Sequence, residues 1–331
     1  MKILLIRFSS IGDIVLCSPA IRCLKASFPQ TELHFLTKKK FRSLLEFNPA
    51  LNKIHNLDGS LSRLCNELKN EKYDLVIDFH GSLRSRWLCL LLGRPVLRLE
   101  KGNFAKWLLV TFGIRPKETR HVADRYLDTL LPLGVTSDGK GLDYFACNCE
   151  EPDWNELPAF ISREKFTILS VGGTHFTKRM PAEKWISLIS QLPGAIVIAG
   201  GKEDVATAST LEKAAASAGK QVFNACGQFS IGGSAWLISK AALVISHDTG
   251  LMHIAAAFRR PVVCIWGNTV PEFGFYPWKT ESYQLEVMDL SCRPCTRIGK
   301  AACPKGHFAC MNRQDLSDPG LHQFIQRALN N

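Results

Sequence analysis

Short apolar runs alternate with helical segments along most of the chain, and this alternation restricts the folds open to it. The run 2–8 is rich in Ile and Leu, and 14–28 has the apolar spacing of a helix. A strand, a helix and a second strand usually form a parallel pair, so the order predicts parallel sheets covered on both faces. The predicted strands are 2–8, 32–36, 53–57, 74–79, 95–99, 166–171, 195–199, 221–224, 243–246 and 261–266.

The alternation is interrupted once, between residues 135 and 165, where Gly, Asp, Glu, Pro and Asn predominate. We interpret this stretch as a linker. The chain of 331 residues is also longer than one ordinary core requires. We therefore predict two α/β domains, residues 1–150 and 151–315, and a C-terminal helix, 316–331, that packs back on the first domain.

Composition and charge narrow the class of protein. Hydrophobic residues make up 46% of the chain and charged residues 21%, which excludes disordered and fibrous proteins. No apolar stretch reaches the roughly 18 residues of a membrane-spanning helix, and the N-terminus lacks a secretory pattern, so we expect a cytoplasmic protein. The net charge of +11 favours anionic partners, whether nucleic acid, anionic lipid or nucleotide-like substrates.

The turn after the predicted strand 243–246 is the most informative segment. Asp248, Thr249 and Gly250 form this turn, and the helix that follows begins with amides that have no partner inside the helix, including that of Leu251. Helix starts at the carboxyl edge of a parallel sheet commonly bind diphosphates. The alternative is that Asp248 only caps the helix and His253 only lies on the helix face, with no ligand bound.

Polar residues at other strand ends suit a phosphorylated substrate. Lys178 lies between a strand and a helix, where it could neutralise a diphosphate without a metal. Glu203 follows a Gly pair and could accept hydrogen bonds from ribose hydroxyls, as could the adjacent Asp204. Asp13 follows the first strand, where it could serve as a general base or only as a capping residue.

A basic group follows the predicted strand 74–79. Arg84 and Arg86 could clamp carboxylate or phosphate groups, with His80 just before them. Arg125 and His121 share one face of a later helix and are a weaker example of the same pattern. Solvent-exposed basic residues without a ligand are the alternative interpretation.

The chain contains twelve cysteines, too few for a disulfide scaffold. Four of them fall between residues 292 and 310, where a structural zinc site, a redox group and a purely structural thiol cluster are all compatible with the spacing. These four are Cys292, Cys295, Cys303 and Cys310. Most of the others are expected to be reduced thiols of the core, and they are Cys17, Cys23, Cys65, Cys89, Cys147, Cys226 and Cys264.

Several segments resemble one enzyme family. DTGLMHIAAA and the following RRPVVCIWGN are similar to the donor-site signature of the family 9 glycosyltransferases, the ADP-heptose:lipopolysaccharide heptosyltransferases. The opening KILLIRFSSIGDIVL, the loop DLVIDFHGSLRSRWL, the segment VGGTHFTKRMPAEKW and the cysteine-rich tail also resemble the family. The resemblance implies a GT-B fold, in which two Rossmann-like domains with a cleft between them bind acceptor and nucleotide sugar respectively.

The resemblance also implies an activity: inverting transfer of heptose from ADP-heptose to Kdo or heptose of a lipid-linked core oligosaccharide, at the anionic inner membrane. It implies Asp13 as the base and no metal or cofactor for catalysis, so any zinc would be structural. The implied donor contacts are Lys178, Glu203, Asp248, Thr249, Gly250, Leu251 and His253. The implied acceptor contacts are Ser10, Gly12, His80, Arg84, Arg86 and Arg125, although the family often carries Gln where this chain has His80.

Two other functions fit parts of the sequence. Another GT-B enzyme, such as a sugar-nucleotide epimerase or a transferase with a different donor sugar, would share the fold and the helix-start motif. A basic nucleic-acid-binding module would explain the charge, but the aromatic residues do not interleave with Lys and Arg along a strand. We therefore expect no nucleic-acid partner.

Overall fold

The computed structural model describes residues 1–146, 152 and 157–330, and the chain in it divides into two compact units. The first unit is Met1–Lys101 with Arg120–Phe145, and the second is Gly102–Thr119 with Ala146–Asn331. This division departs from the expected one because residues 102–119 fold with the second unit. The expected boundary at 150 and 151 lies outside the described residues, as does Cys147.

The first unit is built on a five-stranded parallel sheet of order β3-β2-β1-β4-β5. Its central strand has four buried residues out of five, because helices cover both faces of a parallel sheet. The elements are β1 (Lys2–Ile6), α1 (Ile11–Leu16), α2 (Ser18–Ser27), β2 (Glu32–Lys38), β3 (Lys53–Leu57), α3 (Leu61–Asn70), β4 (Leu75–Asp78), α4 (Leu83–Leu92), β5 (Val96–Arg98) and α6 (Val122–Asp128). Short 3-10 turns cover Lys39–Leu44 and Leu131–Leu133.

The predicted helix 14–28 is two helices that meet at Cys17. Ser10 and Asp13 form a capping box that starts α1 at Ile11, earlier than predicted. Pro19 lies in the first turn of α2, and because proline has no N–H it cannot continue the hydrogen bonding of a preceding helix. The break therefore follows from a proline inside the predicted helical segment.

The second unit contains a six-stranded parallel sheet of order β11-β10-β9-β6-β7-β8. Its elements are α5 (Asn103–Phe112), α7 (Phe160–Arg163), β6 (Phe166–Ser170), α8 (Ala182–Gln191), β7 (Ala195–Ala199), α9 (Val205–Ser217), β8 (Val222–Asn224), α10 (Ile231–Lys240), β9 (Leu243–His247), α11 (Gly250–Ala257), β10 (Val262–Trp266), β11 (Ser282–Glu286), α12 (Ala309–Asn312) and α13 (Pro319–Asn330). Short 3-10 turns cover Phe176–Lys178, Lys202–Asp204 and Pro271–Phe273.

Four of these elements, α5, α7, α12 and β11, were not predicted from the sequence, and α5 and β11 are the longest of them. Helix α5 buries Leu109 against Val270 and Phe273, while most of its other apolar side chains remain partly or fully exposed. Strand β11 pairs in parallel with β10 and buries only one of its five residues. Both lack the clean separation of apolar and polar faces on which a sequence-based prediction depends.

The C-terminal helix corrects the expectation that it packs on the first domain. Its side chains Leu321, Phe324, Ile325 and Ala328 belong to the core of the second unit, together with Leu285 of β11. Helix α13 packs against strand β11, which was not predicted from the sequence. Among the described residues, no helix combines the length and the apolar character that crossing a membrane would require.

Strand order determines which loops meet within each unit. Strands β1 and β4 are paired, so the start of α1, which carries Asp13, and the loop that carries His80 follow neighbouring strands of the first sheet. Strands β6 and β9 are paired, so the loops that carry Lys178 and Asp248 do the same in the second sheet. Loops at the carboxyl ends of parallel strands are the usual binding edge of such sheets.

Phe324→Ala tests the packing of α13. We expect the free energy of unfolding to fall by about 3–5 kcal/mol, because the substitution opens a cavity in the second core. Gln326→Ala, on the exposed face of the same helix, should change it by less than about 0.5 kcal/mol. Urea unfolding followed by circular dichroism measures both, and equal effects would contradict the packing described above.

Candidate active-site residues in each unit

Two residues hold the carboxylate of Asp13 at the carboxyl end of β1. Arg7 Nη2 lies 2.5 Å from Asp13 Oδ1, and Ser10 donates to Oδ2 from its backbone N at 3.1 Å and its hydroxyl at 2.8 Å. The capping function considered for Asp13 is thus present. Its side chain nevertheless remains 17% exposed, so the carboxylate can also reach a ligand.

The charge of Asp13 is stabilised despite partial burial. Burial alone would raise its pKa, but the Arg7 guanidinium and the hydrogen bonds from Ser10 lower the pKa to about 2. Arg7 also donates to the carbonyls of Ser9 and Phe79, both at 2.7 Å. Arg7 was not predicted as a site residue, although a cation directly after a buried strand is a detectable signal in the sequence.

His80 lies near this ion pair as a neutral imidazole. Burial, followed by the positive charges of Arg7 and Lys101, lowers its pKa to about 4. Its ring packs against Phe8 with centroids 4.6 Å apart, and its Nδ1 has no hydrogen-bond partner among the described residues. The buried Asp78 carboxylate shapes this loop by accepting from the His80 backbone N at 3.0 Å.

The remaining acceptor candidates of the first unit differ in position. Arg84 and Arg86 are exposed in the first half of α4, and Gly12 is buried inside α1. Arg125 donates to the Lys101 carbonyl at 2.7 Å, while His121 caps α6 by accepting from Ala123 N at 3.1 Å.

Lys101 was not anticipated from the sequence. Its Nζ donates to the Gly81 carbonyl at 3.2 Å, in the loop that also carries His80. Burial, and then the charge of Arg7, lower the pKa of Lys101.

In the second unit the ammonium of Lys178 is held by Asp248. Lys178 Nζ donates to Asp248 Oδ2 at 2.6 Å and to the Asp248 carbonyl at 3.2 Å. Thr269 Oγ1 donates to the same Oδ2 at 3.0 Å. An ammonium group has three N–H donors, so one is left for another acceptor.

His247, the last residue of β9, connects that strand to the loop between β6 and α8, and it was not predicted as a site residue. Its Nε2 accepts from Met180 N at 2.9 Å, and its Nδ1 donates to the Gly172 carbonyl at 3.3 Å. Burial lowers the pKa of His247 to about 4, which keeps the ring neutral as this bonding pattern requires. The ring therefore fixes the positions of the segments on both sides of Lys178.

The start of α11 lies close to two cationic side chains. A methyl group at Gly173 would lie 3.5 Å from Arg179 Cγ, 3.7 Å from Thr249 Cγ2 and 3.9 Å from Lys178 Cβ. Thr249 is the N-cap residue, and Gly250 and Leu251, both partly exposed, are the first helical residues. His253, by contrast, is buried one turn later, with its ring 6.4 Å from that of Phe275.

The structure distinguishes Glu203 from its neighbour Asp204. Asp204 is buried, accepts from Gly201 N at 2.9 Å and lies 3.5 Å from Arg179 Nη1, so it stabilises the turn. Glu203 is exposed, and its carboxylate folds back over Gly201 in the space that a side chain there would occupy. Of the two, Glu203 is the one available to a ligand.

In the part of the chain that the structure describes, the four C-terminal cysteines are not arranged as the zinc site that was one of three alternatives for them. Sulfurs around a tetrahedral zinc ion lie about 3.8 Å apart. Among the residues that the structure describes, no three of these sulfurs lie within 4.8 Å of one another. The six core cysteines predicted within the described residues are confirmed as buried free thiols.

The cysteine-rich segment instead supports the Lys178 loop. Thr177 N donates to the Lys300 carbonyl at 3.2 Å, and Lys300 N donates to Thr177 Oγ1 at 2.8 Å. Gly299 has a φ of +146°, and a side chain there would lie 2.5 Å from His175 Cβ. Arg293 donates to the carbonyls of Gly267 and Thr269, which anchors the loop that holds Asp248.

Known proteins were compared with the chain by sequence. Lipopolysaccharide heptosyltransferase 1 of Pseudomonas aeruginosa is 26% identical over 90% of this chain and 86% of its own length. Lipooligosaccharide heptosyltransferase 2 of Campylobacter jejuni is 25% identical over 100% of this chain and 99% of its own. This chain thus spans nearly the full length of both relatives.

The fold is similar to that of a solved enzyme. ADP-heptose LPS heptosyltransferase II of Escherichia coli superposes with a TM-score of 0.72 at 20% identity, over 99% of each chain. The likeness confirms the predicted class, two Rossmann-like α/β domains of the GT-B type. The sequence profile of glycosyltransferase family 9 (heptosyltransferase) matches residues 61–305, well over half of the chain. With the fold and the sequence in agreement, this protein belongs to glycosyltransferase family 9, the heptosyltransferases.

Proposed function

We propose that this enzyme transfers heptose from ADP-heptose to Kdo or heptose of the lipopolysaccharide inner core, with inversion at the anomeric carbon. The observation that carries the proposal is the position of the Lys178 ammonium, which binds the side chain and the carbonyl of Asp248 directly before the start of α11, in a heptosyltransferase-family chain. The P. aeruginosa relative is named a lipopolysaccharide heptosyltransferase, and the name of the E. coli enzyme also contains ADP-heptose.

The second unit is suited to hold the donor. The third N–H of Lys178 and the first amides of α11 can donate to phosphate oxygens, and the positive end of the helix dipole favours the same charge. In this proposal Asp248 positions Lys178 rather than touching the donor. Glu203 accepts from the ribose hydroxyls, because it is exposed at the end of β7.

The first unit is suited to activate the acceptor. The acceptor hydroxyl oxygen attacks the anomeric carbon, the bond from that carbon to the diphosphate oxygen breaks, and the hydroxyl proton passes to Asp13. With a pKa of about 2, Asp13 is ionised at neutral pH and takes the proton as the hydroxyl becomes acidic during attack. Lys178 stabilises the charge on the departing ADP, and His80, Arg84 and Arg86 contact the acceptor.

Asp13 requires its own test because it precedes the segment matched by the family profile. Asp13→Ala should lower turnover by about 10²- to 10⁴-fold while ADP binding stays near wild type, since only proton transfer is lost. Initial rates of ADP release and calorimetric ADP binding measure the two quantities. Asp58→Ala, which removes an exposed carboxylate of the same unit, is the control. Asp13→Asn keeps the size of the side chain and is the second variant if Asp13→Ala does not fold. Wild-type turnover in both Asp13 variants would exclude the base assignment.

Lys178→Ala tests the diphosphate contact. The substitution should weaken ADP binding by about 1.5–3 kcal/mol, or roughly 10- to 150-fold, because a charge-assisted hydrogen bond is lost. Adenosine, which has no phosphate, should bind nearly as well as to wild type. Lys213→Ala on α9 is the matched control. Equal losses for ADP and adenosine in calorimetry would show that Lys178 does not contact the phosphates.

Helix α4 carries a surface that suits the proposed location on the cytoplasmic face of the inner membrane. Leu83, Trp87 and Leu90 lie along one side of the helix and are 87%, 54% and 69% exposed. The exposed Arg84 and Arg86 flank them, and Arg94 follows the helix. Apolar side chains bordered by cations match an anionic bilayer surface, and a lipid-linked acceptor lies in such a surface.

Trp87→Ala tests this membrane contact. Binding to vesicles that contain anionic lipid should fall about tenfold, because a large apolar side chain no longer enters the interface. Phe47→Ala, another exposed aromatic of the first unit, should leave binding unchanged. Sedimentation with vesicles gives the partition coefficients. Equal vesicle binding by Trp87→Ala and Phe47→Ala would show that α4 does not contact the membrane.

A further inference from the structure

A buried polar cluster lies near the amino end of the first sheet, whereas Asp13 and His80 follow its carboxyl end. His34 is on β2 and His55 is on β3, and these two residues are only 1% and 2% exposed. Glu71 follows α3, and Tyr73 precedes β4. The proposed reaction uses none of these residues.

The donor atoms of the cluster converge on one point. His34 Nδ1 lies 3.2 Å from His55 Nε2, and the Tyr73 hydroxyl lies 2.8 Å from the first and 3.0 Å from the second. The Glu71 carboxylate oxygens lie 3.9 Å from His34 Nδ1 and 4.0 Å from His55 Nε2. One donor atom each of His34, His55 and Glu71 fall within 4.8 Å of one another.

The outer nitrogens of both rings are already used. His34 Nε2 lies 2.8 Å from Glu32 Oε1, and His55 Nδ1 lies 2.9 Å from Glu67 Oε1. A carboxylate only accepts hydrogen bonds, so in each neutral ring the proton is on this outer nitrogen. His34 Nδ1 and His55 Nε2 therefore both carry lone pairs, although they lie only 3.2 Å apart. The single Tyr73 proton can satisfy only one of them at a time.

The charges around the cluster favour a cation. The carboxylates of Glu32, Glu67 and Glu71 face it, and the ammonium groups facing it are those of Lys2 and Lys53, so the balance is one negative charge. Lys53 Nζ donates to Glu71 Oε1 at 2.5 Å and Lys2 Nζ donates to Glu71 Oε2 at 3.0 Å, so the two ammonium groups lie on the Glu71 carboxylate.

We propose that His34 Nδ1, His55 Nε2 and the Glu71 carboxylate bind one divalent cation of the Zn²⁺ class, with the Tyr73 oxygen or a water as fourth ligand. Imidazole and carboxylate are the donors that Zn²⁺ accepts. Metal–nitrogen bonds of about 2.0–2.1 Å in a tetrahedron place two nitrogens about 3.3 Å apart, close to the observed 3.2 Å. Glu71 must move inward by roughly 0.6 Å to complete the set.

Glu32 and Glu67 complete the site as outer partners of the two histidines. A carboxylate on the second ring nitrogen of a metal-bound histidine fixes the tautomer and the ring orientation. The ligands come from β2, β3 and the end of α3, so the ion would tie the edge strand β3 to its neighbours. Its function is structural, because the site is at the end of the sheet opposite to the candidate active-site loops.

The test uses the full chain without a histidine tag, dialysed against Zn²⁺ or Co²⁺ and desalted. We expect one equivalent of metal per chain, and the Co²⁺ protein should show the visible absorption of a tetrahedral site with nitrogen and oxygen ligands. Glu67→Gln should weaken Co²⁺ binding by about 10- to 100-fold, since it removes only the outer partner of His55. Glu46→Gln, an exposed carboxylate elsewhere in the first unit, should bind as wild type does.

A Cys295→Ser variant separates this site from the C-terminal thiols. Unchanged Co²⁺ binding by this variant, and no thiolate charge-transfer absorption in the wild type, support the histidine site. Loss of the metal on Cys295→Ser would overturn the proposal. So would the absence of stoichiometric metal in the wild type, or wild-type affinity in a folded Glu67→Gln variant.

Discussion

Parallel pairing of neighbouring strands is the constraint on which both candidate sites depend. The pairing of β6 with β9 places Lys178 and Asp248 in contact, although they are 70 residues apart in sequence. The pairing of β1 with β4 likewise lets Arg7 donate to the carbonyl of Phe79. The short, buried strands therefore place charged groups at one edge of each sheet, while the helices cover the apolar faces.

The fold class and most elements could be predicted from the sequence because the apolar periodicity is strong in the sheet centre. Strands β3 and β7 have the predicted bounds, and the two-domain class is confirmed. The failures occur where periodicity is weak. Helix α5 leaves apolar residues exposed, and β11 is an edge strand with one buried residue, so α13 had no visible partner.

The residue types of the candidate site could be predicted from the sequence, but the ion pairs and hydrogen bonds between them could not. Asp13, Lys178 and Asp248 follow strands and carry charge, which marks them in the sequence. That Asp248 holds Lys178, or that Arg7 holds Asp13, depends on distances that only tertiary packing sets. His247 was missed because a histidine ending a buried strand looks like a core residue, and its bonds to Met180 and Gly172 are long-range.

The first unit is made of two separate segments of the chain, so a single cut cannot separate the two units. The chain passes from one unit to the other after Lys101, after Thr119 and after Phe145. A fragment that ends at Phe145 would carry α5 without Val270 and Phe273, so Leu109 would lose its packing partners. A complementary fragment starting at Ala146 would expose those partners in turn. Separate expression of the two halves therefore requires removing residues 102–119 from the first fragment and adding them to the second.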